Sequence, residues 1–193
     1  MTSQSKLGQA MQVRTPWIWC DLEMTGLDLE KHRIIEIATI ITDDQLNVIA
    51  EGPNYVVHQP SHCLEDLDPW ILKHHGESGL LAAVRESSVN QEQAEKETLD
   101  FIAAYTSCGK SPLCGNSIGT DRAFIAEHMP VLAQHFHYRN IDVSSVKQLY
   151  EAWYPGRQRF SKKNHHRALD DIKESIAELA FYRETIFLTN HDR

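Results

Sequence analysis

Apolar and polar residues alternate along three segments in the first third of the chain, as they do in β-strands. Between Trp17 and Glu23, the apolar residues at positions 18, 20 and 22 fall on one side of an extended chain, and Asp21 and Glu23 fall on the other. Residues 33–42 and 48–59 are rich in β-branched residues, which favour strands. Because the links between the three segments are short, we predict an antiparallel meander.

After Pro69 the spacing of apolar residues changes to that of helices. We predict a helix over residues 90–105, with Ser87 or Ser88 as its N-cap. Its apolar stripe consists of Ala94, Leu99, Ile102 and Ala103. The last helix carries Leu169, Ile172, Ile176, Leu179 and Ile186 on one face.

Between these helices, two short strands each precede a further helix. Residues 111–115 lead into a helix over 120–128, and residues 141–143 lead into one over 144–154, with Ser144 as its predicted N-cap. The complete pattern predicts an α/β fold: a mixed sheet, built from an antiparallel meander followed by βα units, flanked by helices.

The length of 193 residues and a hydrophobic content of 41% suit one domain with a continuous core. We predict a loosely ordered extension over residues 1–15 and a single domain over residues 16–193. No run of about 18 apolar residues occurs, so we expect no membrane span. The four cysteines (Cys20, Cys63, Cys108 and Cys114) lack paired spacing, so we expect reduced, buried thiols and a cytoplasmic protein.

The formal net charge of −8 disfavours a protein that tracks along a long nucleic acid, because such proteins neutralise many phosphates with Lys and Arg. A short nucleic acid could bind at a local basic site. The basic residues near position 166 could supply such attraction or could simply form a solvated loop. They are Arg157, Arg159, Lys162, Lys163 and Arg167.

Asp21 and Glu23 share one face at the end of the first predicted strand. Two carboxylates held so close repel each other unless they are protonated or bridged by cations. Oxygen ligands of this kind suit Mg²⁺ or Mn²⁺ better than zinc. An acidic pair on a solvated face is the alternative, but this pair extends an apolar strand. The pattern therefore favours a metal site.

Three residues further along complete the candidate chemistry. Asp121 opens a predicted helix; taken alone it is ambiguous, since Asp in a first turn also complements the helix dipole. Asp171 lies beside the buried face of the last helix, and His166 precedes that helix in a polar segment. A histidine so placed could deprotonate an attacking water, as phosphodiester hydrolysis requires.

Together, Asp21-x-Glu23, Asp121 and His166-x₄-Asp171 resemble the DEDDh 3′-to-5′ exonucleases of the RNase H-like fold in both order and spacing. The spacing of the family motif, five residues from the histidine, implies Asp171 and not its neighbour Asp170. Four stretches resemble in particular the members that degrade very short RNAs: residues 21–28 (DLEMTGLD), 114–121 (CGNSIGTD), 138–143 (YRNIDV) and 166–179. The resemblance covers nearly all of the chain from Pro16 onward.

The resemblance implies that Asp21, Glu23, Asp121 and Asp171 hold two Mg²⁺ or Mn²⁺ ions and that His166 is the general base. It implies a 3′-to-5′ exoribonuclease that degrades dinucleotides and other very short RNAs to mononucleotides and so completes RNA decay.

By the same resemblance Leu27 is a wedge between two bases, although a core leucine is the alternative. Met24 and Thr25 are expected to bind substrate, while Ser117, Arg139 and Ser144, with Tyr138 and His75, cap the 5′ phosphate. Tyr138 is expected to come from the partner in a homodimer.

Other classes of protein fit the sequence less well. Residues 115–119 also spell G-x-S-x-G, and the order Ser117, Asp142, His166 would suit a serine hydrolase, but a meander precedes this motif and the acids would have no role. A zinc site at His58, His62 and Cys63 lacks further ligands. A binding module without catalysis has no use for a general base. A DEDDh exonuclease acting on longer RNA or DNA shares every catalytic residue.

Overall fold

The computed structural model describes residues 15–161 and 167–187. The predicted extension therefore lies almost wholly outside the described residues, as do Lys162, Lys163 and the predicted base His166, and these expectations stay predictions. Within the described part of the chain, no helix is long and apolar enough to cross a membrane.

A five-stranded mixed sheet forms the centre of the fold, in the order β3-β2-β1-β4-β5. Its strands are β1 (Trp17–Met24), β2 (Ile34–Thr42), β3 (Val48–Val56), β4 (Leu113–Gly115) and β5 (Asn140–Asp142). The pairs β1–β2 and β2–β3 are antiparallel, whereas β1–β4 and β4–β5 are parallel. This arrangement confirms the predicted meander followed by βα units.

The described helices are α1 (Pro69–Glu77), α2 (Leu80–Glu86), α3 (Gln91–Ala103), α4 (Gly119–His128), α5 (Pro130–Ala133), α6 (Val143–Trp153) and α7 (Ala168–Ile186). A 3₁₀ turn spans Ser61–Leu64. The sequence pattern did not predict α2, α5 or the 3₁₀ turn. All three span only a few residues, and such segments offer too little periodicity to recognise.

The two faces of β1 belong to two different cores. Ile18, Cys20 and Leu22 pack with residues of α3, α4 and α5. Trp19 faces the opposite way and packs with residues of α6 and α7. Because side chains alternate along a strand, Asp21 and Glu23 lie on the face that α7 covers.

Both predicted N-caps were wrong by a few residues. The side chain of Asn90 caps α3 by accepting from the Gln93 N–H at 2.8 Å, whereas the Ser87 hydroxyl donates to the Val56 carbonyl. Asp142, and not Ser144, caps α6 by accepting from the Ser144 N–H at 3.0 Å. In each case the cap is the polar residue directly before the first helical residue, where its side chain can reach the free N–H groups.

Two expectations about burial also fail. Ala103 is exposed, and the buried stripe of α3 consists of Ala94, Thr98 and Ile102. Cys20 and Cys114 are buried free thiols as expected, but Cys63 is only partly buried and Cys108 is exposed.

Candidate active site

Three carboxylates converge where β1 ends beneath the first turn of α7. Asp21, Glu23 and Asp171 each offer an oxygen, and these oxygens all lie within 4.8 Å of one another. Asp21 and Glu23 project from the same face of β1, and α7 crosses that face. Asp171 joins this group, whereas the neighbouring Asp170 is exposed and does not.

Asp121 approaches the same point from α4. It is buried, and its Oδ1 accepts a hydrogen bond from the Leu22 N–H at 2.9 Å. Leu22 lies between Asp21 and Glu23 in the chain, so this bond ties the start of α4 to the acidic end of β1. The negative charge of Asp121 is the second cause, after burial, of the raised pKa of Asp21.

Burial raises the pKa of Asp21, Glu23 and Asp121, and neighbouring carboxylates raise that of Asp21 and Glu23 further. Burial first, and the charge of Asp171 second, raise the pKa of Glu23 to about 8. Burial raises the pKa of Asp121 to about 7, although hydrogen bonds from the backbone of Leu22 and of Asp121 itself oppose the shift. Such acids are stabilised by protons or by cations. Because all the ligand atoms are carboxylate oxygens, the residues fit a hard divalent cation.

A cavity of about 550 Å³ opens beside Glu23. Its lining is formed by Glu23, Met24, Gly26, Leu27, His32, Asp68, Trp70, Ile71 and His75. Three of the predicted substrate residues, Met24, Leu27 and His75, therefore lie in its wall. The side chain of Thr25 is buried instead, where its hydroxyl accepts from the Arg33 N–H at 3.0 Å and holds the turn after β1.

Leu27 is 75% exposed, which rules out the alternative of a core leucine. Trp70, which no sequence motif marks, is 57% exposed in the same cavity. Asp68 caps α1 by accepting from the Trp70 N–H at 2.8 Å, which fixes the backbone that carries the indole. A tryptophan next to a capping Asp-Pro pair was the available signal for this residue.

His75 links α1 to the carboxylates. Its Nε2 lies 3.0 Å from the Met24 carbonyl oxygen and 3.8 Å from the Glu23 Oε2, and the residue is buried. The imidazole therefore contacts the end of β1 directly, between the cavity and the acidic group.

Two of the predicted phosphate-binding residues meet at the carboxyl ends of β4 and β5. The Ser117 and Ser144 hydroxyl oxygens lie 3.1 Å apart, and Asp142 Oδ1 accepts from the Ser117 N–H at 2.9 Å. Ser117 has a left-handed φ of 50°. The serine-hydrolase alternative is not supported, because Asp142 caps α6 and the sheet begins with an antiparallel meander.

Tyr138 and Arg139 lie at the other end of β5. Arg139 directly precedes Asn140, the first residue of β5, and Ser144 follows Asp142, its last residue, by two positions. Tyr138 is 74% exposed, and the Arg139 guanidinium lies 5.3 Å from the centre of its ring.

Of the five basic residues near position 166, those that the structure describes do not form one surface that would attract a nucleic acid. Arg167 pairs with the buried Glu36 at 2.7 Å, and Arg159 lies 3.8 Å from Glu151. The proposed zinc ligands His58, His62 and Cys63 form no ligand group; in residues 15–161 and 167–187, the acidic group at Asp21 is the place where three or more such side chains converge.

Comparison with protein families agrees with this geometry. The sequence model of the exonuclease family RNase_T matches residues 18–179, so the chain belongs to that exonuclease family. Individual proteins of similar sequence show which branch of the family the chain resembles. Oligoribonuclease of Vibrio cholerae is 55% identical over 171 residues, which cover 88% of this chain and 94% of the Vibrio protein. The mitochondrial oligoribonuclease of Mus musculus is 51% identical over 187 residues, which cover 96% of this chain and 78% of the mouse protein. Within the family, the chain groups with the oligoribonucleases.

Solved structures show the same fold at much lower identity. Exonuclease I of Methylocaldum szegediense matches with a TM-score of 0.69 at 18% identity, over 89% of this chain and 41% of that one. A zinc-bound complex of Escherichia coli exonuclease I with single-stranded DNA matches with a TM-score of 0.69 at 16% identity. The match covers 90% of this chain and 41% of the E. coli enzyme. The chain thus spans about two fifths of these larger enzymes.

Proposed function

We propose that this protein is a 3′-to-5′ exoribonuclease that degrades dinucleotides and other very short RNAs to mononucleotides. The observation that carries the proposal is the convergence of Asp21, Glu23 and Asp171, beside Asp121, at the wall of a cavity of about 550 Å³. A cavity of that size falls in the range that encloses a single small ligand.

The four acids would hold two Mg²⁺ or Mn²⁺ ions. When bound, such a pair of cations stabilises both the attacking and the leaving oxygen of the phosphodiester. The residues of the chain supply the rest: His166 accepts the proton of the attacking water, and the backbone of Leu22 holds one oxygen of Asp121 in place.

Leu27 and Trp70 would receive the bases. Both side chains are exposed in the cavity wall, and an apolar or aromatic surface stacks on a base without reading its identity. The wall also includes Met24 and His75, so the cavity can hold bases of any sequence next to the carboxylates.

The 5′ phosphate would be bound at Ser117 and Ser144, whose hydroxyls point to one another. Arg139 would complete this phosphate site, and we propose that Tyr138, which is 74% exposed, reaches it from the partner subunit of a homodimer. Arginine binds phosphate with two parallel hydrogen bonds, and a closed cap of this kind excludes longer strands.

We also propose that the protein acts in the cytoplasm. Cys20 and Cys114 are free thiols, and burial raises the pKa of each, so the thiols stay protonated and unreactive.

Hydrolysis of 5′-phosphorylated RNAs of two, five and twenty nucleotides tests the substrate class. We expect release of mononucleotides that is fastest on the dinucleotide, requires Mg²⁺ or Mn²⁺ and stops with EDTA. Preference for the twenty-mer would instead favour an exonuclease of longer strands, and hydrolysis that EDTA does not affect would contradict the metal site.

Mixed dimers test the role of the partner. An Asp21→Asn subunit paired with a Tyr138→Ala subunit contains one site with its own Asp21 and the partner's Tyr138. We expect that site to hydrolyse the dinucleotide as fast as a wild-type site does, whereas the pure Tyr138→Ala protein hydrolyses it slowly. Hydrolysis as slow in the mixed dimer as in the pure Tyr138→Ala protein would show that Tyr138 acts within its own subunit.

A further inference from the structure

Glu36 is a fully buried carboxylate, at 0% exposure, that the acidic group does not include. It lies on β2 directly opposite Glu23 in the antiparallel register, so both side chains point to the face covered by α7. A buried charge is costly unless it is paired and hydrogen-bonded. The contacts of Glu36 therefore indicate what it does.

Both oxygens of Glu36 bind the start of α7. Arg167 donates through Nε to Oε1 and Oε2 at 3.0 and 3.1 Å, and through Nη2 to Oε1 at 2.7 Å. The Ala168 N–H donates to Oε2 at 3.2 Å. With its oxygens occupied in this way, Glu36 is not part of the group of converging carboxylates.

The contact with Ala168 replaces a cap that α7 lacks. Arg167 is the N-cap residue of α7 and provides no side-chain cap of its own. The first N–H groups of a helix need acceptors, and a negative charge there also complements the helix dipole. Glu36 supplies both from the neighbouring sheet.

This anchor lies one helical turn from Asp171. The Asp171 N–H donates to the Arg167 carbonyl at 3.0 Å, so the backbone of the two residues moves together. Arg167 also directly follows the predicted base His166 in the chain. Fixing Arg167 on β2 therefore fixes Asp171 relative to Asp21 and Glu23 on the adjacent strand.

We propose that Glu36 is a positioning residue, which clamps Arg167 and the first turn of α7 so that the Asp171 carboxylate meets those of Asp21 and Glu23 in cation-binding geometry. The proposal rests on the metal-dependent activity proposed above. Altering groups that orient metal ligands typically costs roughly 10- to 100-fold in metal affinity or activity.

Calorimetric titration of the full-length protein with Mn²⁺ tests the clamp, using Glu36→Gln, Arg167→Gln and Arg167→Lys at a temperature where each variant is folded. We expect all three to bind Mn²⁺ more weakly, Glu36→Gln and Arg167→Gln by roughly tenfold or more and Arg167→Lys by less. For the dinucleotide, kcat should fall while KM stays near the wild-type value, because the cavity that receives the bases is unchanged.

Arg167→Gln separates positioning from simple electrostatics. Removing Arg167 leaves the negative charge of Glu36 beside the acids, which by charge alone would tighten Mn²⁺ binding. Weaker binding therefore supports the clamp, whereas tighter or unchanged binding overturns it. Arg167→Lys keeps the charge and most of the fold, so unchanged Mn²⁺ affinity in that variant would also contradict the proposal.

Lys173→Gln is the matched control. Lys173 also joins α7 to the sheet, through Glu51 on β3 at 3.0 Å, but this pair is exposed. Its loss removes the same charge from the same helix and should leave Mn²⁺ affinity within about twofold. An equal loss in this control would overturn the specific role of Glu36. If the wild type binds Mn²⁺ but hydrolyses no RNA, the proposed function fails while the clamp is still decided by the titration.

Discussion

Asp121 Oδ1 accepts a 2.9 Å hydrogen bond from the backbone N–H of Leu22, the residue between Asp21 and Glu23. The bond passes from the first turn of α4 to the end of β1, and it involves one of the two Asp121 oxygens. The strand that carries the first two acids thus also orients the third.

Asp21→Asn should abolish hydrolysis, with a loss of at least roughly 10²- to 10³-fold in kcat, the range for removing one electrostatic stabiliser of a transition state. Without metal, the same variant should unfold at a higher temperature than the wild type at alkaline pH, because burial and repulsion raise the pKa of Asp21 and its charged form is unfavourable. Thermal unfolding at pH 6 and pH 9 checks this. Full activity would contradict the assignment of Asp21 as a metal ligand.

The metal-free protein should lose stability as the pH rises from about 4 to about 8. Glu23 has a pKa of about 8 and Asp121 of about 7 in the folded state, above the value of about 4 expected when unfolded. The folded state therefore binds more protons across this range, and its free energy of unfolding falls by up to about 1.4 kcal/mol per pH unit for each such group. Urea unfolding across this range measures the slope.

Saturating Mn²⁺ should remove most of that pH dependence, because the cation takes the place of the protons. A slope that is the same with and without Mn²⁺ would indicate that these carboxyl groups do not bind it.

Trp70→Ala should raise KM for the dinucleotide and leave kcat nearly unchanged, since stacking on a base contributes about 1–3 kcal/mol of binding. Trp70 is exposed, so the fold should be unaffected. Leu72→Ala is the control: Leu72 is an exposed residue of the same helix that does not line the cavity. Steady-state kinetics on both variants decides the matter, and equal effects would argue against a base-binding role for Trp70.

Gly26→Ala should weaken dinucleotide binding and cost about 1–3 kcal/mol of stability, because a Cβ there would overlap the His32 ring in the cavity wall. Gly52→Ala offers a comparison, since its Cβ would meet Phe101 and Thr39, away from the cavity. Both variants should lower the unfolding temperature, and Gly26→Ala alone should raise KM. A normal KM for Gly26→Ala would mean that the turn after β1 tolerates displacement.

Features that depend on neighbouring residues were predictable from the sequence. Alternation along β1 placed Asp21 and Glu23 on one face, and the apolar stripe of α7 placed Asp171 near the sheet. These relationships follow from strand and helix periods alone.

Features that depend on how distant segments meet were not predictable in this way. Trp70 joins Leu27 in one cavity only because α1 folds back over the turn after β1. The role of Glu36 has a local signal in the sequence: β2 contains a single acid in a strand rich in Ile, and a buried acid needs a partner.

The meeting of Asp171 with Asp21 has a consequence for how the protein is made. The first two acids of the group lie near the start of the chain and the third lies on α7, so the acidic group cannot form until α7 has docked on β1. Contacts between segments so far apart in sequence form late, after the costly closure of the intervening chain. A nascent or partly folded chain would therefore be unable to cut RNA, and activity would begin only when folding is nearly complete.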